Sequence, residues 1–269
     1  MQQVIKRYRY SVILLRELVR TDFKIRYQDS ALGYIWSLLR PLLMFLILYF
    51  VFTKFIRVGS VVPHYAVYLL LGIVLWNFFA ELTVGSVGAI VGKSELLRKI
   101  NFPKYNIILA NSISALINLL LNFIVIAIFM AFNNLTPSIG AFLIIPLVIE
   151  LYIISLGVAF LLSALYVRFR DISYVWDVIV QAAFYATPIL YPLSIIPYHR
   201  IQELLILNPI SQIIQDARYA LVTHDTSTIN QVFGGDKWIW LIPITLTVLV
   251  ALAGSLYFRK RSKYFAEET

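Results

Sequence analysis

The sequence contains no cysteine and few charged residues. Without cysteine there is no disulfide, no thiolate metal site and no cysteine nucleophile, and the redox compartment cannot be read from the sequence. Only 14% of the 269 residues are charged, against about a quarter in soluble domains. Because 60% are hydrophobic, too little polar sequence remains for a soluble catalytic domain. The composition is typical of a protein that crosses a membrane several times.

Residues for hydrolytic or metal chemistry are also scarce. The three histidines, His64, His199 and His224, fall in segments predicted to be external. No G-x-S-x-G motif occurs, and no His, Asp and Glu cluster has metal-ligand spacing. We therefore predict no catalytic residue and no metal ligand, and a membrane-embedded glycan-modifying enzyme remains an alternative function.

Six apolar runs are long enough to cross a hydrocarbon core about 30 Å thick, once helix tilt is allowed. They cover residues 34–56, 66–91, 107–132, 139–167, 172–195 and 238–258. The predicted fold is an all-α membrane protein with six transmembrane helices. Residues 1–33 form a cytoplasmic interface helix, residues 34–258 form the six-span domain, and residues 259–269 form a cytoplasmic tail.

Positive charge predicts the orientation, because Lys and Arg in short flanking segments are retained in the cytoplasm. The sequence has 23 such residues, and all flank the runs on one side except Lys54, Arg57, Arg200, Arg218 and Lys237. Both termini are therefore predicted to be cytoplasmic. The net charge of +9 belongs to this pattern, so we expect no nucleic-acid partner.

Two segments outside the runs are amphipathic. Between Tyr8 and Tyr27, apolar residues recur at intervals of three or four beside a basic stripe, which predicts a helix along the cytoplasmic membrane surface. It either anchors to anionic lipid or also meets a partner subunit or a phosphorylated substrate. Residues 198–237 contain two stretches too short to span, which predict an external helical hairpin that re-enters the outer leaflet or caps the protein.

The stretch GAIVGKS, residues 88–94, is close to a phosphate-binding loop but does not match it. Only three residues separate Gly88 from Gly92, whereas the motif requires four, and the stretch follows an apolar run instead of a strand. These glycines and Gly85 are interpreted as a helix-packing surface. The next segment, 93–104, is basic and partly apolar, which favours docking into a groove of another protein.

The order of these motifs resembles the permease subunits of ABC-2-type polysaccharide exporters. The amphipathic helix is followed by RYQDSALGYIWSLLRPLL (26–43), LLRKINFPK (96–104), YVRFRDI (166–172) and TPILYP (187–192). The resemblance covers essentially the whole chain, with one departure at Arg40, where a neutral residue is expected. That family exports O-antigens, teichoic acids and rhamnose-rich polysaccharides, carried on undecaprenyl diphosphate, across the bacterial inner membrane.

The resemblance implies a non-enzymatic transport subunit that works as a homodimer with two copies of a separate ATPase subunit. ATP and Mg²⁺ would bind to that partner, so no cofactor is expected in this chain. The external hairpin would shape the exit. The coupling helix would be segment 93–104, with Glu95, Leu96, Leu97, Arg98, Lys99, Ile100, Asn101, Phe102, Pro103 and Lys104 as the contact residues.

Polysaccharide transport also requires surfaces along which a glycan can slide, and aromatic faces provide them. The candidates are Trp36, Tyr49, Trp76, Phe78, Phe79, Tyr152, Tyr174, Trp176, Tyr185 and Tyr191. A lipid diphosphate is bound most strongly by several charge-assisted contacts at once. The candidate cations are Arg16, Arg20, Lys24 and Arg26, with Arg168 and Arg170 at the inner mouth.

Two acids inside the runs, Glu81 and Glu150, are expected to be paired or to face water. Two further alternatives for the function remain. An ABC-2 permease for a lipid or drug is opposed only by the motif resemblance. An autonomous channel is disfavoured because it would leave the apolar cytoplasmic segment without a purpose.

Overall fold

The computed structural model describes residues 12–22, 24, 33, 35–60, 62–100, 102–136, 139–236 and 238–265. These residues form helices joined by turns, and none of them lies in a β-strand. The predicted all-α fold is confirmed for this part of the chain.

Helix α1 contains residues 12–22 and 24. The other helices are α2 (Ile35–Phe50), α3 (Tyr65–Val87), α4 (Ala89–Gly92), α5 (Ser94–Lys99), α6 (Tyr105–Phe132), α7 (Ile144–Arg168), α8 (Ile172–Ala186), α9 (His199–Ile206), α10 (Pro209–Leu221), α11 (Ile229–Val232) and α12 (Leu241–Arg261). A wider π-helical turn extends α2 to Phe55, and a tighter 3₁₀ turn, Ile139–Leu143, leads into α7.

Five helical segments are long and apolar enough to cross a membrane. They are Ile35–Phe55, Tyr65–Val87, Tyr105–Phe132, Ile139–Arg168 and Leu241–Arg261, and they coincide with five of the six predicted runs. In the remaining run, 172–195, the α-helix is only the 15 residues of α8, which span about 22 Å at 1.5 Å per residue. The structure therefore does not confirm the count of six spans, which stays a prediction.

Helix α3 lies at the centre of the protein. It packs against α2, α6, α7, α8 and α10, and most of its residues are buried on every side. A helix that is apolar all round and surrounded by others in this way shows no strong amphipathic stripe. The other helices are therefore arranged around α3.

Helices α7 and α12 approach each other closely through two glycines. A side chain on Gly254 would overlap the backbone of Gly157, and a Cβ added to Gly157 would lie 2.5 Å from the Cα of Ala251. Small residues permit this kind of backbone contact between helices in lipid. The two helices therefore form a tightly packed pair that leaves no room for a larger side chain at either glycine.

The end of α8 is set by the pair Thr187-Pro188. A residue before proline is disfavoured in the helical conformation, and Thr187 is extended, with ψ 137°. The helical hydrogen-bond pattern therefore stops at this point. The backbone carbonyls of Pro188 and Ile189 then need donors from elsewhere, because water is scarce at membrane depth.

Arg218 of α10 supplies those donors. Its Nη1 donates to the carbonyl of Pro188 at 2.7 Å, its Nη2 to that of Ile189 at 2.6 Å, and its Nε to that of Tyr68 at 3.0 Å. The guanidinium lies 3.6 Å from the ring centroid of Tyr68, and only a glycine at position 72 leaves room for it. Arg218, counted in the sequence among the charges on the side opposite the termini, is a buried residue of the core and not an exposed loop charge, since its side chain is 0% exposed.

The segment predicted as an external hairpin does contain two short helices, and they differ in burial. Asn208 begins α10 by accepting a hydrogen bond from the Ile210 N–H at 3.1 Å, with Pro209 as the first helical residue. Helix α10 is buried against α3, α7 and α12. Helix α9 is more exposed and packs through Ile206 on a small separate cluster. Whether the pair re-enters the outer leaflet stays a prediction.

A buried carboxylate accompanies Arg218 on α10, outside the five membrane-length helices. Asp216 accepts a hydrogen bond from Gln212 Nε2 at 2.6 Å. Burial raises the pKa of Asp216 to about 6, and the hydrogen bond from Gln212 acts in the opposite direction. The carboxyl group therefore takes up a proton at a higher pH than an exposed aspartate, which lowers the cost of burying it.

The substitution Arg218→Met tests the role of this arginine. It leaves the carbonyls of Pro188 and Ile189 without these donors, which costs about 1–3 kcal/mol for each buried group. We expect a melting temperature lower by roughly 5–15 °C in mild detergent, measured by the loss of monodisperse protein on heating. Arg200→Met, on the exposed side of α9, is the control and should melt like the wild type. Equal melting of both variants would contradict this role.

Candidate functional site

A cavity of about 940 Å³ lies between α2, α3, α6 and α8. Its apolar wall includes Pro41, Met44, Val74 and Leu119. Its polar lining residues are Ser37, Arg40, Asn77, Glu81, Asn118, Asn122, Asp177 and Gln181. Polar side chains are rare inside apolar helices, and they normally face water or another part of the protein. This cavity is therefore the candidate functional site.

A row of asparagines on α6 forms one wall of this region. Asn111, Asn118 and Asn122 are spaced by seven and four residues, which places them on one face of a helix. Asn118 Nδ2 donates to Glu81 Oε1 at 2.7 Å. Asn111 Nδ2 donates to the carbonyl of Leu82 at 3.2 Å, also on α3. These amides orient α6 against α3 and place amide groups beside the cavity.

Three ionisable residues line the cavity at a similar depth. Arg40 on α2, Glu81 on α3 and Asp177 on α8 each lie within about two turns of the helix end predicted to be cytoplasmic. The prediction that Glu81 is paired or faces water holds, because it accepts from Asn118 and lines the cavity. Arg40, which departs from the family pattern, contributes a cation to the same space.

Two of the ten predicted aromatic residues line this cavity. Trp36 lines the cavity near the start of α2 and is exposed. Phe78 borders the cavity from α3 and is buried. Phe78 stacks on Tyr152, with ring centroids 6.5 Å apart. The cavity therefore combines one or two aromatic faces with a larger number of amide and carboxylate groups.

The other aromatic candidates lie elsewhere. Trp76 and Phe79 are packed in the core beside Trp176, and Trp176 Nε1 donates to Thr83 Oγ1 at 3.2 Å. Tyr174 and Tyr185 are exposed on α8, Tyr49 stacks against Tyr65, and Tyr191 donates to backbone carbonyls at the end of α8. Their role in a glycan path stays a prediction.

The segment predicted to couple to a partner contains α5 and the turn that follows it. Leu97 and Phe102 are only 7% and 5% exposed, because both pack into the core of this chain. They are not available for docking, contrary to the reasoning that singled them out. Ile100 is 37% exposed, and Arg98 and Lys99 are also exposed. Position 101 lies outside the described residues, and the role of the segment stays a prediction.

An ion pair connects the start of this segment to helix α1. Lys93 Nζ lies 2.9 Å from Asp22 Oδ1, and both side chains are about three-quarters buried. A smaller cavity of about 310 Å³ lies beside this pair, between Gly85, Gly92 and Asn111. The glycine-rich stretch that leads into Lys93 is helical on both sides, so it lacks the strand and loop of a phosphate-binding motif.

The cations predicted to bind a lipid diphosphate are exposed where the structure describes them. Arg16, Arg20 and Lys24 are exposed on α1, and position 26 lies outside the described residues. Arg168, the last residue of α7, and Arg170 are exposed. They lie over the rings of Phe169 and Tyr166, at 5.3 and 5.2 Å. Their binding role stays a prediction. Among the described residues, no group of three or more His, Asp and Glu side chains is placed to hold a metal ion.

Sequence reasoning missed the amide lining of the cavity. Asn77, Asn118 and Gln181 lie in apolar runs and were not singled out. The helical spacing of the asparagines on α6 was a signal in the sequence, because three amides on one face of a membrane-length helix need polar partners. The polar residues that α3 and α8 contribute to the cavity carry no comparable signal in the sequence, because these helices meet α6 only in the folded protein.

Comparisons with known proteins cover almost the whole chain. Residues 13–222 match the family described as ABC-2 type transporter. The chain is 30% identical over 259 residues to a protein named O-antigen export system permease protein RfbA from Klebsiella pneumoniae, covering 96% of this chain and 95% of that protein. A protein of the same name from Myxococcus xanthus is 26% identical over 262 residues, covering 97% and 96%.

Water access to the cavity can be tested directly, because the chain has no native cysteine. Gln181→Cys should react with a small charged thiol reagent in native membranes at least about tenfold faster than Leu75→Cys. The reason is that a thiol buried in apolar surroundings has a raised pKa and forms little thiolate. Leu75 is fully buried on α3 and does not line the cavity. Equally slow reaction at both positions would contradict an accessible cavity.

Proposed function

Because the chain belongs to the ABC-2 type transporter family, we propose that it is the permease subunit of an ATP-driven exporter of an O-antigen-type polysaccharide. The observation that carries this proposal is the polar cavity among its membrane-length helices. The relatives named for O-antigen export support it, since the likeness includes the external helices and the cytoplasmic segments.

The lining of the cavity suits a carbohydrate better than an apolar compound. Sugar hydroxyl groups both donate and accept hydrogen bonds, and Asn77, Gln181 and Asp177 offer partners of both kinds. The exposed face of Trp36 offers contact that does not depend on the register of a repeating chain. The glycan is preferred to a lipid or drug because the similar permeases are named for O-antigen export, and the polar groups of the cavity give its hydroxyl groups partners.

The proposed cargo is carried on undecaprenyl diphosphate. Its diphosphate would be held at the inner mouth by the exposed cations of α1 and by Arg168 and Arg170, because charge-assisted contacts to phosphate are strong and additive at short range. An O-antigen is preferred to a teichoic acid or a rhamnan, because the similar permeases are named for O-antigen export.

The proposed assembly is a homodimer in a bacterial inner membrane, with two copies of a separate ATPase subunit. ATP and Mg²⁺ bound by that partner would supply the free energy. In this chain, segment 93–104 would receive the movement through exposed residues such as Arg98 and Ile100. The Lys93–Asp22 pair would hold the segment against α1. A second copy placed on the exposed faces of α2 and α8 would close the cavity into a path.

Export in the host tests this function. In a strain that lacks the gene, the wild-type chain should restore surface polysaccharide and co-purify in equal number with an ATPase subunit. Gln181→Leu combined with Asn77→Leu should lower export about thirtyfold, because two hydrogen bonds worth roughly 1 kcal/mol each are lost. Val180→Leu, which changes an apolar lining residue on the same helix as Gln181, should export normally. Unchanged surface polysaccharide in the deletion strain would refute the proposal.

The proposed topology has six spans and two cytoplasmic termini. Segment 172–198 would complete the fifth crossing, with the non-helical residues after Ala186 held by Arg218. Single cysteines at Arg170 and His199, both exposed, should then label from opposite sides of the membrane with an impermeant reagent. Lys263→Cys should label from the same side as Arg170→Cys. Labelling of Arg170→Cys and His199→Cys from one side would leave five crossings and refute the proposed topology.

A further inference from the structure

The residues after α12 turn back and insert an aromatic ring into the protein. Phe265 is 0% exposed, although its neighbour Tyr264 is 48% exposed. The ring of Phe265 meets that of Phe258 edge-on, with centroids 5.3 Å apart, and Phe258 packs on Phe160 of α7 at 4.9 Å. A solvated tail would not bury its aromatic residue, so this part of the C-terminal segment belongs to the folded core.

This buried ring meets the end of segment 93–104. The Lys104 side chain is partly buried, and its Nζ donates to the backbone carbonyl of Ser262. The same Nζ lies over the ring of Phe265, 5.8 Å from its centroid. One lysine therefore connects the cytoplasmic segment to a turn 158 residues away in the sequence.

The anchor of this connection is rigid. Phe258 lies on α12, which is packed against α7 at the Gly157 and Gly254 contact. Because closely packed helices move as a unit more readily than they deform, a displacement of Lys104 would act on both helices. Leu97 and Phe102, buried in the same core, fix the middle of the segment.

We propose that residues 262–265 position the coupling segment: the Ser262 carbonyl and the Phe265 ring hold Lys104, so that movement of segment 93–104 is transmitted to α7 and α12. This inference rests on the proposed function, in which that segment contacts the ATPase subunit. Lys104 and Phe265 are positioning residues in this role, because neither contacts the transported glycan.

The experiment uses the full chain in complex with the ATPase subunit of the same host. Lys104→Met keeps most of the side-chain length but removes the donor and the positive charge. Phe265→Ala removes the ring that Lys104 lies over. Tyr264→Ala, the exposed neighbour, is the matched control. Export is measured as surface polysaccharide in the host, and ATP hydrolysis is measured on the purified complex.

Phe265→Ala should keep binding the ATPase subunit and hydrolysing ATP. In both Lys104→Met and Phe265→Ala, export for each hydrolysed ATP should fall at least about fivefold, the lower end of typical coupling between sites. Lys104→Arg should restore export, because it can donate to the same carbonyl and lie over the same ring. Phe265→Leu should retain more export than Phe265→Ala. Tyr264→Ala should behave like the wild type.

Normal export for each hydrolysed ATP in Lys104→Met and Phe265→Ala would overturn the inference. Phe265→Ala could instead melt early while Lys104→Met keeps normal stability and normal coupling. The turn would then only stabilise the fold, and this result would also overturn the inference. These outcomes differ from failure of the proposed function, in which the wild-type chain itself would bind no ATPase subunit and restore no polysaccharide.

Discussion

The packing of α8 and α10 against α3 depends on the hydrogen bonds between the Arg218 guanidinium and three backbone carbonyls. In a membrane, each backbone group that leaves a helix must find a partner inside the protein. Helix α8 ends at Ala186 because of Thr187-Pro188, and Arg218 satisfies the carbonyls that follow. Burying a cation is costly when it is unpaired, and here the carbonyls and the Tyr68 ring compensate. This arrangement holds α10 inside the protein.

With α10 in the interior, α3 is surrounded on all sides and the remaining helices are placed around it. The polar cavity forms where α2, α6 and α8 meet α3, and its amide and carboxylate groups face one another there. Transport of a polymer needs a path that binds weakly at many points. A lining of amides with a few aromatic faces meets that requirement better than a single tight site, because each contact can be exchanged for the next.

Segment 93–104 is organised differently from what its composition indicated. The apolar residues of segment 93–104 were expected to be free for a partner, but Leu97 and Phe102 complete the core of the chain itself. Among the described residues of the segment, Glu95, Arg98, Lys99 and Ile100 are exposed. A lysine holds each end of the segment: Lys93 pairs with Asp22 of α1, and Lys104 donates to the Ser262 carbonyl in the C-terminal turn. A segment fixed at both ends can transmit force into the membrane helices.

From the sequence alone, the length of the apolar runs and the order of the motifs predict the helical class, the family and six spans, because run length reflects bilayer thickness and the motifs cover the chain. Five of the six runs contain membrane-length helices in the structure. The sequence did not determine which side of each helix faces the protein. In lipid, both the buried and the outward faces of a helix are apolar, so Phe78 and Phe79 look alike in the sequence although only one lines the cavity. The burial of Arg218 and the inward position of Phe102 were likewise decided by tertiary structure. Their partners lie far away in the chain and meet them only when the helices pack.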